Sequence, residues 1–535
     1  MKKLISLMLA VLMLFSCVSV ATASAAYTNG EHLPQVYVEG LESKGVYYKE
    51  DTDMENPLFF PINGNMMITK LTENYEEKLK KAFLAQDSDA ITAYLTDWIM
   101  DCFGDIALGK DGFTMSDKVY VPETELDPYG DAKAGKYIFR YDCRLGGVDI
   151  AAELVDYINW VKRETGAKKV ELVASSYGSA VVLGLLHDYS AKIREAVGTE
   201  NDKEYANVEI LDSIDSILLC VPSANGVDFA SELFSGNINV DPVALKGFLD
   251  NSLNDEAISD LLSTLIKTGT LGAILNDALL PFVHVALMNA VRSVIYNVFG
   301  TMPSMWSFVD EAHFYTALEN VYGADYASPD HEYAGLIERI TYYHENIQKK
   351  SYDILKAAEN AEHNVNIICK YGDPSIPISE KGDVLSDGFV AVTEASFGAT
   401  ASLNGKTLPA DYQQVACLEK NHNHISADRC IDASTCLLPE NTWFIKNLWH
   451  GTKNSAYYKM IGDIVYNDLS VNSLAEYPQF MMVSEEDANK LVPLVAENLP
   501  EVSEEKETSW LEDFLSFFKN FFPRLIAMIK GWFSK

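Results

Sequence analysis

Basic residues are scarce. The 535-residue chain carries 42 Lys and Arg against 77 Asp and Glu, a formal charge of −35. A surplus of that sign argues against nucleic acid and a bare anionic membrane as main partners. It favours solubility and says nothing about fold. Cysteine is sparse too: eight in the whole chain are too few for a disulfide scaffold. The most apolar stretch of the body, Leu271 to Phe299, is interrupted by Asn276, Asp277, His284, Asn289 and Arg292, too often for a membrane span. We find no internal repeats. No set of cysteines and histidines has the spacing of a zinc site, so no metal is expected, although the polar loop Asn421-His-Asn-His424 offers two imidazoles that solvent or a metal could take.

What is present begins with MKKLISLMLAVLMLFSCVSVATASAA, residues 1–26. Two lysines, an apolar run and an Ala-Ser-Ala exit predict a secretory signal peptide cleaved near Ala26, and hence a secreted protein with some prospect of attachment to the cell surface. The tetrapeptide Leu14-Phe15-Ser16-Cys17 is a weaker match to a lipoprotein box. Loss of Lys2 and Lys3 leaves 40 basic residues against 77 acidic ones, formally −37, and an odd seven cysteines, of which Cys430 and Cys436 could pair over a short loop. With 48% hydrophobic and 11% aromatic residues the chain can bury large cores, as one big domain with an insertion or as two domains.

Strand and helix signals alternate. Gln35 to Val38 reads as a short buried strand ending at Gly40, and Lys136 to Tyr141 as another. A helix follows, with Ile150, Leu154, Ile158 and Val161 at helical spacing and a stop near Gly166. Then come a strand at Val170 to Val173, a helix from about Ser179, and an apolar strand at Ile217 to Val221 closed by Pro222. That order implies parallel pairing through right-handed crossovers, an α/β sheet. From about Phe229 to Glu362 the period is almost wholly helical. Strand signals resume at Val365 to Cys369 and at Thr442 to Lys446, followed by a helix over Ala456 to Asn467.

The turn Ala174-Ser175-Ser176-Tyr177-Gly178 joins a strand to a helix in the pattern G-x-S-x-G, with Ala in place of the first Gly. A turn this tight holds its central residue in strained geometry, lifts the Ser176 hydroxyl above the sheet edge, and needs small residues two before and two after. The helix N-terminus and the Tyr177 N–H then face charge developing on a carbonyl oxygen. On the pentapeptide alone, an ordinary connection with incidental serines accounts for it equally well.

With the stretch Tyr141-Asp-Cys-Arg-Leu145, a helix, then Thr165-Gly-Ala-Lys-Lys-Val170 and the turn, the chain resembles the α/β-hydrolase superfamily. Within it, the lipase and lecithin:cholesterol acyltransferase-like branch is the nearest in pattern. The resemblance covers roughly residues 33–225 and 365–465, in the order and spacing of elements more than in letters. It implies a mostly parallel sheet flanked by helices and a triad in the order nucleophile, acid, histidine. Ser176 is then the nucleophile. The acid is Asp387, in Ser386-Asp-Gly-Phe-Val390, which looks like the Ser-Asp-Gly-Val-Val segment of related lipases; Asp373, in Tyr-Gly-Asp-Pro, is the alternative. Either could instead make a simple Asx turn. Among His422, His424 and His450, the base is His450, between the final strand and the final helix, with His424 the alternative. The oxyanion hole would use the N–H groups of Tyr177 and of Leu41 in Tyr37-Val-Glu-Gly-Leu41, with Asn63-Gly-Asn65 a weaker substitute for this loop. Glu39 departs from the family pattern, where His-Gly or Pro-Gly is usual. Its carboxylate would repel an oxyanion, so it must point away or be protonated. Ser175 departs as well, standing where a histidine is more usual.

The expected organisation is a signal peptide (1–26), an α/β-hydrolase core (27–228 and 363–484) with a helical lid or cap inserted at 229–362, a charged spacer (485–507) and an amphipathic C-terminal helix (508–535). In the insertion, Met288, Met302, Met305, Trp306 and Phe308 offer adaptable apolar contact to an acyl chain, or pack the insertion's own core. The tail carries a broad apolar stripe with four basic and two acidic residues, suited to a membrane interface, to the protein's own surface or to a second chain. The reading is a secreted serine hydrolase of carboxylic, lipid-like esters that needs no cofactor. An acyltransferase sharing its acyl-enzyme, and a non-catalytic surface binding protein on the same fold, are the alternatives.

Overall fold

The computed structural model describes residues 32–41, 43–50, 57–58, 64–85, 87–122, 136–200, 208–237, 280–374, 384–417 and 422–496. The expected signal peptide, the middle of the helical block and the C-terminal helix lie outside these.

The alternation of apolar runs and amphipathic helices builds an eight-stranded sheet: β1 (Gln35–Val38), β2 (Lys136–Phe139), β3 (Val170–Ser175), β4 (Ile214–Cys220), β5 (Asn364–Tyr371), β6 (Thr442–Lys446), β7 (Phe480–Val483) and β8 (Leu491–Pro493). Their spatial order is 8-7-6-5-4-3-1-2. Neighbours pair in parallel throughout, except for the antiparallel edge of β7 with β8. The protein is therefore an α/β fold with a mostly parallel sheet. Such strands are apolar on both faces because helices cover both. Val36 and Val38, Leu172 and Ala174, and Ile367 and Cys369 pack into the larger core, while Tyr37, Val173 and Ile368 between them pack into the other.

Helix α1 (Ser88–Phe103) is capped by Asp87, whose side chain accepts from the Ala90 N–H at 3.0 Å. No element is expected here from the strand and helix signals of the sequence; Ile91, Leu95, Trp98, Ile99 and Cys102 form the buried stripe of this helix. Helix α2 (Gly147–Thr165) buries the four predicted residues and stops at Gly166, whose φ of 72° only glycine adopts without penalty. Helix α3 (Gly178–Tyr189) follows β3 and is buried along its whole length.

Every described element between Asp228 and Asn360 is helical, as expected. Of these, α4 (Leu280–Asn297) packs on α1, which precedes β2 in the chain. The last helix of the block, α5 (Ser351–Asn360), instead packs on α3 and β5. It leads directly into β5. The spacer expected from residue 485 begins inside the sheet, since it contains β8. No helix among the described residues is long and apolar enough to cross a membrane.

All seven described cysteines are free thiols, so Cys430 and Cys436 are not bridged.

Beneath the sheet's entry edge, Glu171 in β3 is 4% exposed and accepts a hydrogen bond from the Ser216 hydroxyl of β4. Burial pushes its carboxyl up to about 7; the Ser216 hydroxyl opposes this, and Asp215 and Asp468 add to it. The folded chain thus holds a proton on Glu171 that the unfolded chain has lost above its ordinary value of 4.5. This contribution to stability is fully present below that value, fades as pH rises to about 7, and is then constant. Urea unfolding of Glu171→Gln against the parent is expected to shift in the variant's favour between pH 4.5 and 8, by at most about 3 kcal/mol. Parallel pH profiles would contradict it.

Candidate active site

Strand β3 and helix α3 meet at Ser176. Its φ of +52° is the left-handed region, costing a non-glycine residue on the order of 1–3 kcal/mol. The bend is held from three sides. The Ser176 N–H donates to the Cys220 carbonyl of β4 at 2.9 Å, and its carbonyl accepts from the Ser179 N–H at 2.9 Å and the Ser179 hydroxyl at 2.6 Å. Gly178 must be glycine, because a Cβ there would sit 2.6 Å from the Val38 carbonyl oxygen and 2.8 Å from that of Glu39.

Opposite the hydroxyl, the chain after β6 carries His450. Its Nε2 lies 2.9 Å from Ser176 Oγ and its Nδ1 lies 2.7 Å from Asp387 Oδ2. Asp387 is fully buried, and its second oxygen, Oδ1, accepts from the N–H groups of Phe389 at 3.0 Å and Val390 at 2.7 Å. Its own carbonyl accepts the His450 N–H at 2.9 Å, a second tie between acid and imidazole. The carboxylate thus faces His450 in one orientation. Between the two residues stands Gly388, at φ +90°, where a Cβ would fall 1.8 Å from Trp449 Cζ3.

Of the residues singled out in the sequence, Ser176, Asp387 and His450 therefore come together. Asp373 pairs its backbone with Ser386 in a two-stranded ladder, and its carbonyl accepts the Ser386 hydroxyl; Asp387 takes the place beside the imidazole. His424 points elsewhere, its Nδ1 at 2.8 Å from Gln479 Oε1. Gly40 runs close beside the bend, where a Cβ would be 3.2 Å from Ser176 Cβ, and Leu41 follows it directly. Tyr177 is buried at the N-terminus of α3, its hydroxyl donating to the Leu145 carbonyl at 2.7 Å. Of the substitute loop, Asn63 lies outside the described residues, and Gly64 and Asn65 open a separate helix, Gly64–Lys70.

The Glu39 side chain turns to Lys453, with Oε2 at 2.9 Å from Nζ in a largely buried pair, while its carbonyl accepts the Tyr141 hydroxyl at 2.5 Å. The sequence predicts a carboxylate that points away or is protonated, and does not announce its ammonium partner.

A residue the sequence reading missed is Lys370 of β5, which is 1% exposed. Its ammonium donates to the carbonyls of Trp449 (3.4 Å), His450 (3.0 Å) and Thr452 (2.7 Å) and lies 4.3 Å from the centroid of the Tyr457 ring. A buried charge is costly unless satisfied, and here the loop carrying His450 satisfies it. The available signal was a lysine inside the otherwise apolar run Val365 to Tyr371.

An aromatic ring flanks the imidazole, and the helical block contributes Phe308 behind it. Phe389 lies 5.0 Å from the His450 ring, and Phe308 packs on both Phe389 (6.0 Å) and Tyr177 (5.7 Å). Met302, Met305 and Trp306 are buried within the block itself, Trp306 stacking on Tyr322 and donating to the Gly300 carbonyl. The side chain of Met288 lies outside the described residues.

No family model matches the chain, and no curated protein matches it in sequence. Among solved structures, a chain of the Tle4–Tli4 complex is similar at 12% identity over 39% of this chain and 48% of that one, with a TM-score of 0.16. This chain thus spans about half the length of that one. Kex1(delta)p, a prohormone-processing carboxypeptidase from Saccharomyces cerevisiae, is similar at 11% identity over 85% of this chain and 90% of that one, with a TM-score of 0.25. Scores that low carry no argument about activity.

Proposed function

We propose that this chain is a serine hydrolase of the α/β-hydrolase type that cleaves carboxylic esters, with lipid-like acyl esters as the substrate class. The observation that carries the reading is Ser176 Oγ in a left-handed bend with an imidazole nitrogen at 2.9 Å, itself backed by a buried carboxylate at 2.7 Å. A nucleophile, a base and an orienting acid in hydrogen-bond contact are what acyl transfer needs.

In this mechanism Ser176 Oγ attacks the ester carbonyl carbon while His450 Nε2 takes its proton. The carbonyl π pair moves to oxygen, where the Tyr177 and Leu41 N–H groups stabilise the negative charge. On collapse the alcohol leaves with the proton from His450, and an acyl-Ser176 ester remains. Water then repeats the sequence, releasing the acid. No metal or cofactor enters these steps. The pairing of Glu39 with Lys453 supports this reading, since it turns a carboxylate away from the oxyanion. Leu- and Phe-rich sequence between nucleophile and acid supports a lid over an acyl chain. Residues 1–26 support secretion, and the aromatic, basic tail supports contact with a lipid interface.

The test is a fluorophosphonate probe followed by a chain-length series of nitrophenyl esters. The native chain is expected to be labelled at Ser176 and to hydrolyse the longer esters best. A folded chain that takes up no probe contradicts the nucleophile, and labelling with a flat or short-chain preference contradicts the lipid-like substrate class. Adding glycerol or a sterol separates hydrolysis from transfer, since only an acyltransferase diverts product from free acid to new ester.

A further inference from the structure

Away from Ser176, Cys417, His422 and His424 bring one sulfur and two nitrogen atoms within 4.8 Å of one another. Glu440, sixteen residues further on, adds Oε1 at 3.0 Å from His422 Nδ1 and 3.2 Å from His424 Nε2. We propose that these four side chains form a binding site for zinc, structural rather than catalytic.

Three observations carry it. First, His424 is 1% exposed, and its Nε2 is buried without a hydrogen-bond partner although it faces the other three groups. Second, its tautomer is fixed from behind. Gln479 donates its amide N–H groups to the carbonyls of Pro439 (2.6 Å) and Thr442 (3.1 Å), which turns Oε1 to His424 Nδ1 at 2.8 Å. An amide oxygen at Nδ1 calls for the ring's N–H there, which leaves Nε2 as the nitrogen that faces Cys417, His422 and Glu440 and can ligate a cation between them. Third, the spacing fits. Tetrahedral zinc with legs of about 2.0–2.1 Å to nitrogen and oxygen has ligand-to-ligand edges of about 3.3 Å, close to the two edges Glu440 makes.

The donor set is selective. A thiolate and two imidazoles favour zinc over magnesium or calcium, and thiolate plus carboxylate balance a doubly charged ion. An outer layer holds the ligands: Gln414 donates to the carbonyls of Cys417 (2.7 Å) and His422 (3.0 Å) and accepts the His424 N–H (3.0 Å). Spacing alone hid the site, because C-x4-H-x-H with a distant Glu matches no usual zinc pattern. Its place argues against catalysis. Glu440 precedes β6 and His450 follows it, so five residues of strand, roughly 15 Å, separate the two. A metal here would tie Cys417, His422 and His424 to Glu440, at the entry end of β6.

The full-length chain, purified under reducing conditions without chelator, is expected to hold one zinc per chain by elemental analysis. Exchange for cobalt is expected to give a thiolate-to-metal charge-transfer band. Cys417→Ser, at a partly exposed position, should abolish the band and weaken zinc at least about tenfold in competition with a chromophoric chelator. His422→Ala should weaken zinc comparably. Cys430→Ser, whose sulfur faces the Lys406 carbonyl, should change neither. A folded chain that takes up no zinc and shows no band overturns the site, as does a Cys417→Ser chain that binds as tightly as the parent. None of these readouts depends on ester hydrolysis.

Discussion

Ser176→Ala is expected to lower ester turnover by about four to six orders of magnitude while leaving the urea midpoint nearly unchanged. The variant loses the attacking oxygen and its 2.9 Å contact with His450, but no described backbone hydrogen bond of the bend involves Oγ. The bend remains, because the Cys220 and Ser179 ties persist. Because the three groups act as one unit, the double variant Ser176→Ala/His450→Ala should turn over no more slowly than the single one. Initial rates on one nitrophenyl ester measure both. Residual activity within tenfold of the parent would mean that the hydrolysis belongs to another site.

Asp387→Asn is expected to cost about 10⁴ in kcat, more than its small change in shape suggests. The reason lies in the N–H groups of Phe389 and Val390, which donate to Oδ1. An asparagine must keep its oxygen toward these donors, so its NH₂ faces His450 Nδ1. Nδ1 then becomes an acceptor and the ring proton moves to Nε2, toward Ser176, where a lone pair is needed. The imidazole remains in place in the wrong tautomer. A pH–rate profile and a crystal structure of the variant check this: an unchanged fold with turnover lost throughout the neutral range is the expected pair of results. A fall of less than tenfold would show that the carboxylate does not set the tautomer.

The strands and helices that build the parallel sheet were legible because period and punctuation agreed locally. Thr442 to Lys446 was read with its observed bounds, and the stop at Gly166 was read from a glycine that the left-handed cap requires. Ser176 was legible from its turn only together with the resemblance around it, Asp387 from its likeness to the Ser-Asp-Gly-Val-Val segment, and His450 from its place between the final strand and the final helix. The last two strands at one end of the sheet, β7 and the edge strand β8, were not: β8 has three residues and lies inside a charged stretch. The packing of α5 on β5 was not legible either, because a helix that crosses to the next strand and one inserted between strands carry the same period. Lys370 and the partner of Glu39 were beyond reach for another reason. Each is defined by a contact with the loop of residues 449–453, and no local pattern announces a partner 80 or 414 residues away.

That same separation governs when the molecule becomes competent during its manufacture. The bend at Ser176 belongs to a unit a ribosome finishes early, yet the proton acceptor is 274 residues downstream and the cation that draws Glu39 aside comes three positions later still. An emerging polypeptide therefore holds an unarmed hydroxyl until its last third has docked. On the proposed reading the nucleophile is armed only when the strand before His450 has joined the sheet, a delay set by connectivity.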